Sequence, residues 1–318
     1  MLTRFSHRAS SLFTVLFAAG ACAGGGATVA SPVPVDGSAE APAPPPLREG
    51  VDFAVYTAEG APTSIDAVVA AFAEHDAVFV GERHDDGITH RVQALLFDRA
   101  VDDFGSSREV VLSLEMFERD VQYVLDEYLA GLITEAHLMS SARPWDNYVP
   151  DYRPMVERAR EAGLEVVAAN APRRYANRAS RLGRESLDAL GPEAMRHLPP
   201  MPYPEASDAY RAEWDALMGD AMQHMQGDPL DAQTLWDASM GHAVATALDA
   251  ADDGLVLHMA GGFHVENGTG TPEALEHYRP GTRSLIVAAR PAADPTVWDP
   301  ALAGLGHFVV VTQAPPGN

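Results

Sequence analysis

The sequence predicts an α/β fold whose strands are buried on both faces, and three observations predict it. Four apolar runs of strand length stop at a glycine or a polar residue: Val78 to Glu82, Glu109 to Glu115, Leu164 to Asn170 and Leu255 to Gly261. Segments with apolar residues at helical spacing stand between them, as at Val92, Leu95 and Leu96. Two of the runs, V-F-V-G-E-R-H and L-V-L-H-M-A-G-G-F-H, share a terminal G-x-x-H ending in His84 and His264. Apolar runs bounded in this way read as strands covered on both sides, and open α/β sheets collect ligands beyond the carboxyl ends of their strands. The strand ends thus deliver Glu82, His84, Glu115, Asn170 and His264 to one edge. Any one of these could be a turn former or a helix cap. Together, two imidazoles and two carboxylates form a candidate divalent-metal or acid/base constellation.

In chain order, residues 1–21 read as a targeting segment. Arg4 and Arg8 give it a positive start, and Leu12 to Ala19 is too short an apolar stretch to span a bilayer. Ala19, Gly20 and Ala21 then precede Cys22, the only cysteine, in the manner of a bacterial lipoprotein signal with Cys22 as the lipidation site. The alternative is an ordinary secretory peptide. Either way no disulfide can form within the mature chain. Residues 22–48 are dominated by Ala, Gly, Ser, Pro and Val and read as a disordered tether, leaving residues 49–318 for the folded domain.

A first strand is expected at Phe53 to Tyr56, followed by a helix capped at Thr63 or Ser64 and running to about Glu74. The helix after Asp85-Asp86-Gly87 carries His90 in its first turn. Helical patterning is expected from Met116 onward, and a loop dense in aromatics and prolines, Trp145 to Pro154, precedes the Leu164 strand. From about residue 172 to 231 the text is helical, with prolines at 199, 200, 202 and 204, and reads as a helical insertion. Its Tyr210, Trp214, Leu217, Met218, Met222 and Met225 keep the helical period, which favours core packing over metal contacts by the methionines and His224. A helix Ala232 to Ala251 returns the chain to the sheet. Thr271 followed by Pro272 and Glu273 reads as a helix cap, and Arg283 to Ala289 and His307 to Thr312 supply the last strands.

Composition narrows the function. With 318 residues, 47% of them hydrophobic, the chain can bury a sizeable core. The 45 acidic residues outnumber 22 basic ones, and a formal net charge of -23 repels phosphate backbones, so no nucleic acid partner is expected. Every basic residue is an arginine. The absence of lysine removes Walker-type loops, Schiff bases and a lysine general base, so anion recognition falls to arginine, histidine or backbone amides.

Four blocks carry a family resemblance: G-E-R-H-D-D with His90 and Gln93 after it, L-E-M-F-E-R-D at Leu114 to Asp120, A-A-N-A-P-R at Ala168 to Arg173, and G-G-F-H-V-E-N-G-T-G-T-P at Gly261 to Pro272. In this order and spacing, from about residue 50 to 290, they resemble the ChaN-like haem-binding lipoproteins, of one superfamily with the erythromycin esterases and Tiki proteases. The resemblance implies a mainly parallel sheet flanked by helices on both faces, with a smaller helical subdomain. In the wider superfamily it implies metal binding or hydrolysis at Glu82, His84, Glu115 and His264. In the haem-binding branch it implies a tyrosine on ferric iron and a dimer enclosing the porphyrins. Tyr148 and Tyr152 are the candidate ligands here, ahead of Tyr175 and Tyr203, with His90, Asn170 and Arg173 as further cofactor contacts and Arg173 and Arg174 placed for propionates. Two functions follow. One is a lipid-anchored envelope protein, in the outer membrane, that binds haem for uptake and meets a receptor. The other is a metal-dependent ester or amide hydrolase with Glu82 or Glu115 as general base.

Overall fold

The computed structural model describes residues 45–219 and 227–315. The signal segment, Cys22 and nearly all of the tether lie outside the described residues, as do Met222, His224 and Met225. Ordered contacts begin inside the expected tether: Leu47 packs on the core, and Arg48 pairs with Asp52 at 2.9 Å.

One sheet organises the domain. Its strands are β1 (Phe53–Thr57), β2 (Pro62–Thr63), β3 (Ala77–Glu82), β4 (Glu109–Glu118), β5 (Val166–Asn170), β6 (Gly254–Gly261), β7 (Ser284–Ala292) and β8 (Phe308–Gln313), in the order β2-β1-β8-β7-β3-β6-β4-β5. The pairs from β8 to β5 are parallel, and only β1 with β2 and with β8 is antiparallel. The α/β, mainly parallel expectation is therefore what the chain adopts.

Helices cover both faces because the strands alternate large apolar side chains between them. Val78, Val80, Leu112, Leu114, Leu257 and Met259 pack under α1 (Ile65–Ala71), α2 (Gly87–Phe104), α3 (Gln122–Leu129) and α5 (Arg153–Ala162), with α4 (Glu135–Ser141) beside them. Ala77, Phe79, Val111, Val256 and Ala260 face α9 (Pro229–Ala250) and α10 (Thr271–Tyr278). The stretch 172–231 is strand-free among the described residues. It forms α6 (Arg173–Leu182), a 3-10 segment, α7 (Pro192–Met195) and α8 (Asp208–Met218), and α6 packs on α9 through Ala176, Ala179, Leu235 and Ala238.

The sheet edges are closed against further pairing. β2 is two residues long and begins at Pro62. At the other edge Gln122 stands in for a neighbouring strand: its amide donates to Val166 O at 2.8 Å and accepts from Ala168 N at 2.7 Å.

Three boundaries differ from expectation. β4 continues to Glu118 instead of yielding to a helix at Met116, because a register shift between Leu114 and Glu118 lets Glu118 pair with Asn170. Helix α9 starts at Pro229, ahead of Ala232, with Asp228 as its cap. Thr271 is the first residue of α10 and not its cap, which is Gly270. Gly270 has φ +63 with His264 O and Asp237 Oδ1 2.7 and 2.9 Å from where a Cβ would sit, so the turn and its close packing both require glycine.

Candidate functional site

The carboxyl ends of β3, β4, β5 and β6 open into a cleft of about 660 Å³. Glu82, His84, Glu115, Asn170, Arg173 and His264 all line it, so the sequence blocks do converge in space. Trp145, Trp236 and Phe263 give it aromatic walls.

Each G-x-x-H histidine is held by a carboxylate beneath it. His84 Nδ1 lies 2.8 Å from Glu82 Oε1, while its Nε2 makes no hydrogen bond among the described residues and its side chain is 54% exposed to the cleft. The loop carrying it is tied down by Asp86, which caps α2 through Ile88 N and Thr89 N and also accepts the hydroxyls of Thr89 and Thr312. Glu82 is fully buried. Burial opposes its ionisation, yet His84, His90 and Tyr152 hold the carboxyl down at about 2. The same Glu82 bond raises the His84 pKa. With His84, His90 and Tyr152 gathered around it, the Glu82 carboxylate orients two imidazoles.

His264 is buried, and its Nδ1 sits 2.7 Å from Asp237 Oδ1 on α9. Its Nε2 lies 3.7 Å from Glu115 Oε1 and 3.2 Å from the Gln233 amide. Burial disfavours the imidazolium, but Asp237 and Glu115 outweigh it and raise the pKa to about 9. Asp237 also accepts the Tyr210 and Thr271 hydroxyls, which wires α8 to the site. Glu115 is fixed from the other side by Gly261 N at 2.7 Å. Gly261 leaves room for the His84 ring: a Cβ there would fall 2.8 Å from His84 Cε1 and 3.0 Å from its Nε2, so a larger residue would displace the ring.

Three expected contacts lie elsewhere. Tyr148 and Tyr152 are 0% exposed, and among the described residues no tyrosine lines the cleft. The loop from Trp145 folds into a π-helical turn, Tyr148–Tyr152, that turns both rings into the core: Tyr148 packs edge-on to Phe117 at 5.7 Å, and Tyr152 donates to Glu82 Oε1 at 2.7 Å. Of that loop, Trp145 is the residue that faces the cleft. His90 is likewise buried behind Glu82, with Nε2 3.5 Å from Glu82 Oε2 and Nδ1 3.1 Å from Asp151. Tyr203 donates to Asp231 O, and Tyr175 stacks under Arg174. Nor do the donors assemble a metal site: among the described residues no three His, Cys, Asp or Glu side chains are placed to hold an ion.

Tyr152→Phe should therefore act on stability. It removes a donor from a buried carboxylate and is expected to cost about 1.5–3 kcal/mol in urea denaturation, whereas an unchanged midpoint would show that Glu82 does not depend on it.

Residues 68–275, about two thirds of the chain, match the sequence model of the family described as haem-binding uptake, Tiki superfamily, ChaN. This chain belongs to that family. Among solved structures, the ChaN-family chain is similar to ChaN of Campylobacter jejuni, described with cofacial haem binding, at 16% identity and a TM-score of 0.63, over 85% of this chain and 100% of that one. Looser likenesses are to the type III effector HopBA1 (15% identity, TM-score 0.41, 78% of this chain and 92% of that one) and to an erythromycin esterase (13% identity, TM-score 0.41, 78% of each). No curated protein matches the sequence. Asp237 and Gln233, which complete the His264 site of this ChaN-family protein, come from a helix whose polar residues carry no motif.

Proposed function

We propose that this ChaN-family protein binds haem in the cleft at the carboxyl ends of β3, β4, β5 and β6. The observation that carries the reading is the cleft itself: its volume lies in the range of small-ligand pockets, and Trp145, Trp236 and Phe263 offer flat apolar surface beside a few polar groups. The group suited to iron is His84, with Nδ1 held by Glu82 and Nε2 unengaged, the arrangement that orients metal-ligating imidazoles. Tyr148 and Tyr152 do not serve, since both hydroxyls are enclosed. A lipid anchor at Cys22 would hold the protein at the outer membrane, where a homodimer hands haem to an uptake receptor. Hydrolysis has less support, because Glu82 is buried beneath His84 and no metal donor set converges among the described residues.

Titration of the full chain with haemin, with apo-myoglobin as competitor, tests this. A saturable spectrum, lost slowly to the competitor and changed in His84→Ala but not in Tyr148→Phe or Tyr152→Phe, is expected. Unsaturable binding would remove the haem reading, and a spectrum changed only by the tyrosine variants would remove the ligand assignment. Gly261→Ala gives a separate check. Its new Cβ pushes the exposed His84 ring off its bond to Glu82, so haem affinity should fall by about tenfold while stability changes by less than about 1 kcal/mol.

A further inference from the structure

Resting on the reading that His84 holds haem iron in the cleft, we propose that Tyr152, enclosed and out of reach of the iron, sets the oxidation-state preference of the site by acting through Glu82 on His84. The geometry is that of a shared acceptor. Glu82 Oε1 takes a hydrogen bond from the Tyr152 hydroxyl at 2.7 Å and lies 2.8 Å from His84 Nδ1. Iron on Nε2 leaves the imidazole proton on Nδ1, so both bonds are donated to the same oxygen. The other oxygen takes little of the load: Oε2 makes no hydrogen bond among the described residues, and its neighbour His90 Nε2 stands 3.5 Å away. The Glu82 side chain is 0% exposed, so solvent screens neither bond.

A hydroxyl that donates to a carboxylate stabilises its charge and weakens its pull on a second donor. With Tyr152 in place, Glu82 therefore draws on the His84 proton less than a lone carboxylate would. That proton tunes the ligand: the harder Nδ1–H is pulled, the more negative charge the ring offers at Nε2, and the better it suits ferric over ferrous iron. Glu82 thus creates a preference for ferric haem, and Tyr152 moderates it. Packing keeps the arrangement in place without the hydroxyl. Trp145 meets His84 and Tyr152 edge-on, with ring centroids 4.9 and 6.1 Å apart, and the Tyr152 ring also packs on His90 at 5.1 Å. A phenylalanine at this position keeps those ring contacts. It gives up the 2.7 Å bond to Glu82, along with the longer approaches of Asn147 and His90 at 3.5 and 3.4 Å.

The test is the reduction potential of the haem-loaded full chain, measured by spectroelectrochemical titration. Against the wild type, Tyr152→Phe should raise the ferric-over-ferrous affinity ratio about tenfold, which is a potential about 59 mV lower for one electron. Its ferric absorbance spectrum should stay as it is, because His84 remains the ligand. A ring-fluorinated tyrosine in place of Tyr152, whose hydroxyl is the stronger donor, should move the potential the opposite way, and it carries the test alone if the phenylalanine variant fails to fold. Tyr148→Phe removes another buried hydroxyl, one with no hydrogen bond among the described residues, and should leave the potential unmoved. A potential that is unmoved or higher in Tyr152→Phe, a shift of the same sign in both Tyr152 variants, or an equal shift in Tyr148→Phe overturns the proposal and leaves haem binding through His84 standing. A wild type that takes up no haem, or a spectrum indifferent to His84→Ala, overturns the reading beneath it as well.

Discussion

Replacing Asp237 with alanine is expected to cost about 3–5 kcal/mol of stability, since it strips one partner from a buried charge pair. Asp237 is 3% exposed, and four groups depend on it or its neighbour: His264 Nδ1, the Tyr210 hydroxyl, the Thr271 hydroxyl and, through His264, the Glu115 carboxylate. Removing the acid leaves two buried hydroxyls without an acceptor and deprives the buried imidazolium of its counter-charge. Exposed pairs in the same protein set the comparison. Asp66, 74% exposed beside Arg99, should cost under about 1 kcal/mol on the same change. Urea unfolding of both variants decides the matter. A loss below about 1 kcal/mol for Asp237→Ala would mean that the Asp237–His264 pair is not what holds the His264 loop.

The second large effect depends on pH. The His264 pKa is raised from 6.5 to about 9, because Asp237 and Glu115 together outweigh burial; the Gln233 amide, His84 and the buried His258 complete its surroundings. For a group whose pKa is higher in the folded state, the stabilisation is complete below the unfolded value and is lost as pH rises through the folded one. The window is therefore about pH 6.5 to 9, and the raised pKa is worth about 3 kcal/mol at its acid side. Other histidines titrate in the same range, so the difference between wild type and His264→Gln isolates the effect. That difference should be largest near pH 6 and shrink by about 3 kcal/mol by pH 10. A gap that stays constant across this range would show that His264 is not charged in the folded protein.

Much of this site was legible because the strands are. Runs buried on both faces stand out as unbroken apolar text, and their last residues must share an edge if the strands are parallel, which is how Glu82, His84, Glu115, Asn170 and His264 came together. Arg173 followed from its place just past β5. The remainder was hidden for reasons of geometry. Gln233 and Asp237 sit one turn apart on α9, in the row that continues as Gly241, where the helix approaches α10 so closely that a Cβ on the glycine would fall 2.6 Å from the Ala274 methyl. Two polar residues in a row that becomes a tight helix contact are out of place on a solvated face, and that was the available signal. Tyr148 and Tyr152 misled in the opposite way. Aromatics around two prolines suggested a loop that presents its tyrosines to a ligand, but the backbone makes a π-helical turn that drives both rings inward, so that Tyr152 became a support for Glu82. His90 shows the same limit: its first-turn position in α2 is equally compatible with facing the cleft or standing behind Glu82, and the contact with Asp151 selects the latter.

The most direct test of the cleft as the haem site is a crystal structure of the full chain grown with haemin. Porphyrin density is expected against Trp145, Trp236 and Phe263, with His84 directed at iron. Porphyrin found outside the cleft, with His84 still resting on Glu82 and its Nε2 facing solvent, would contradict that placement.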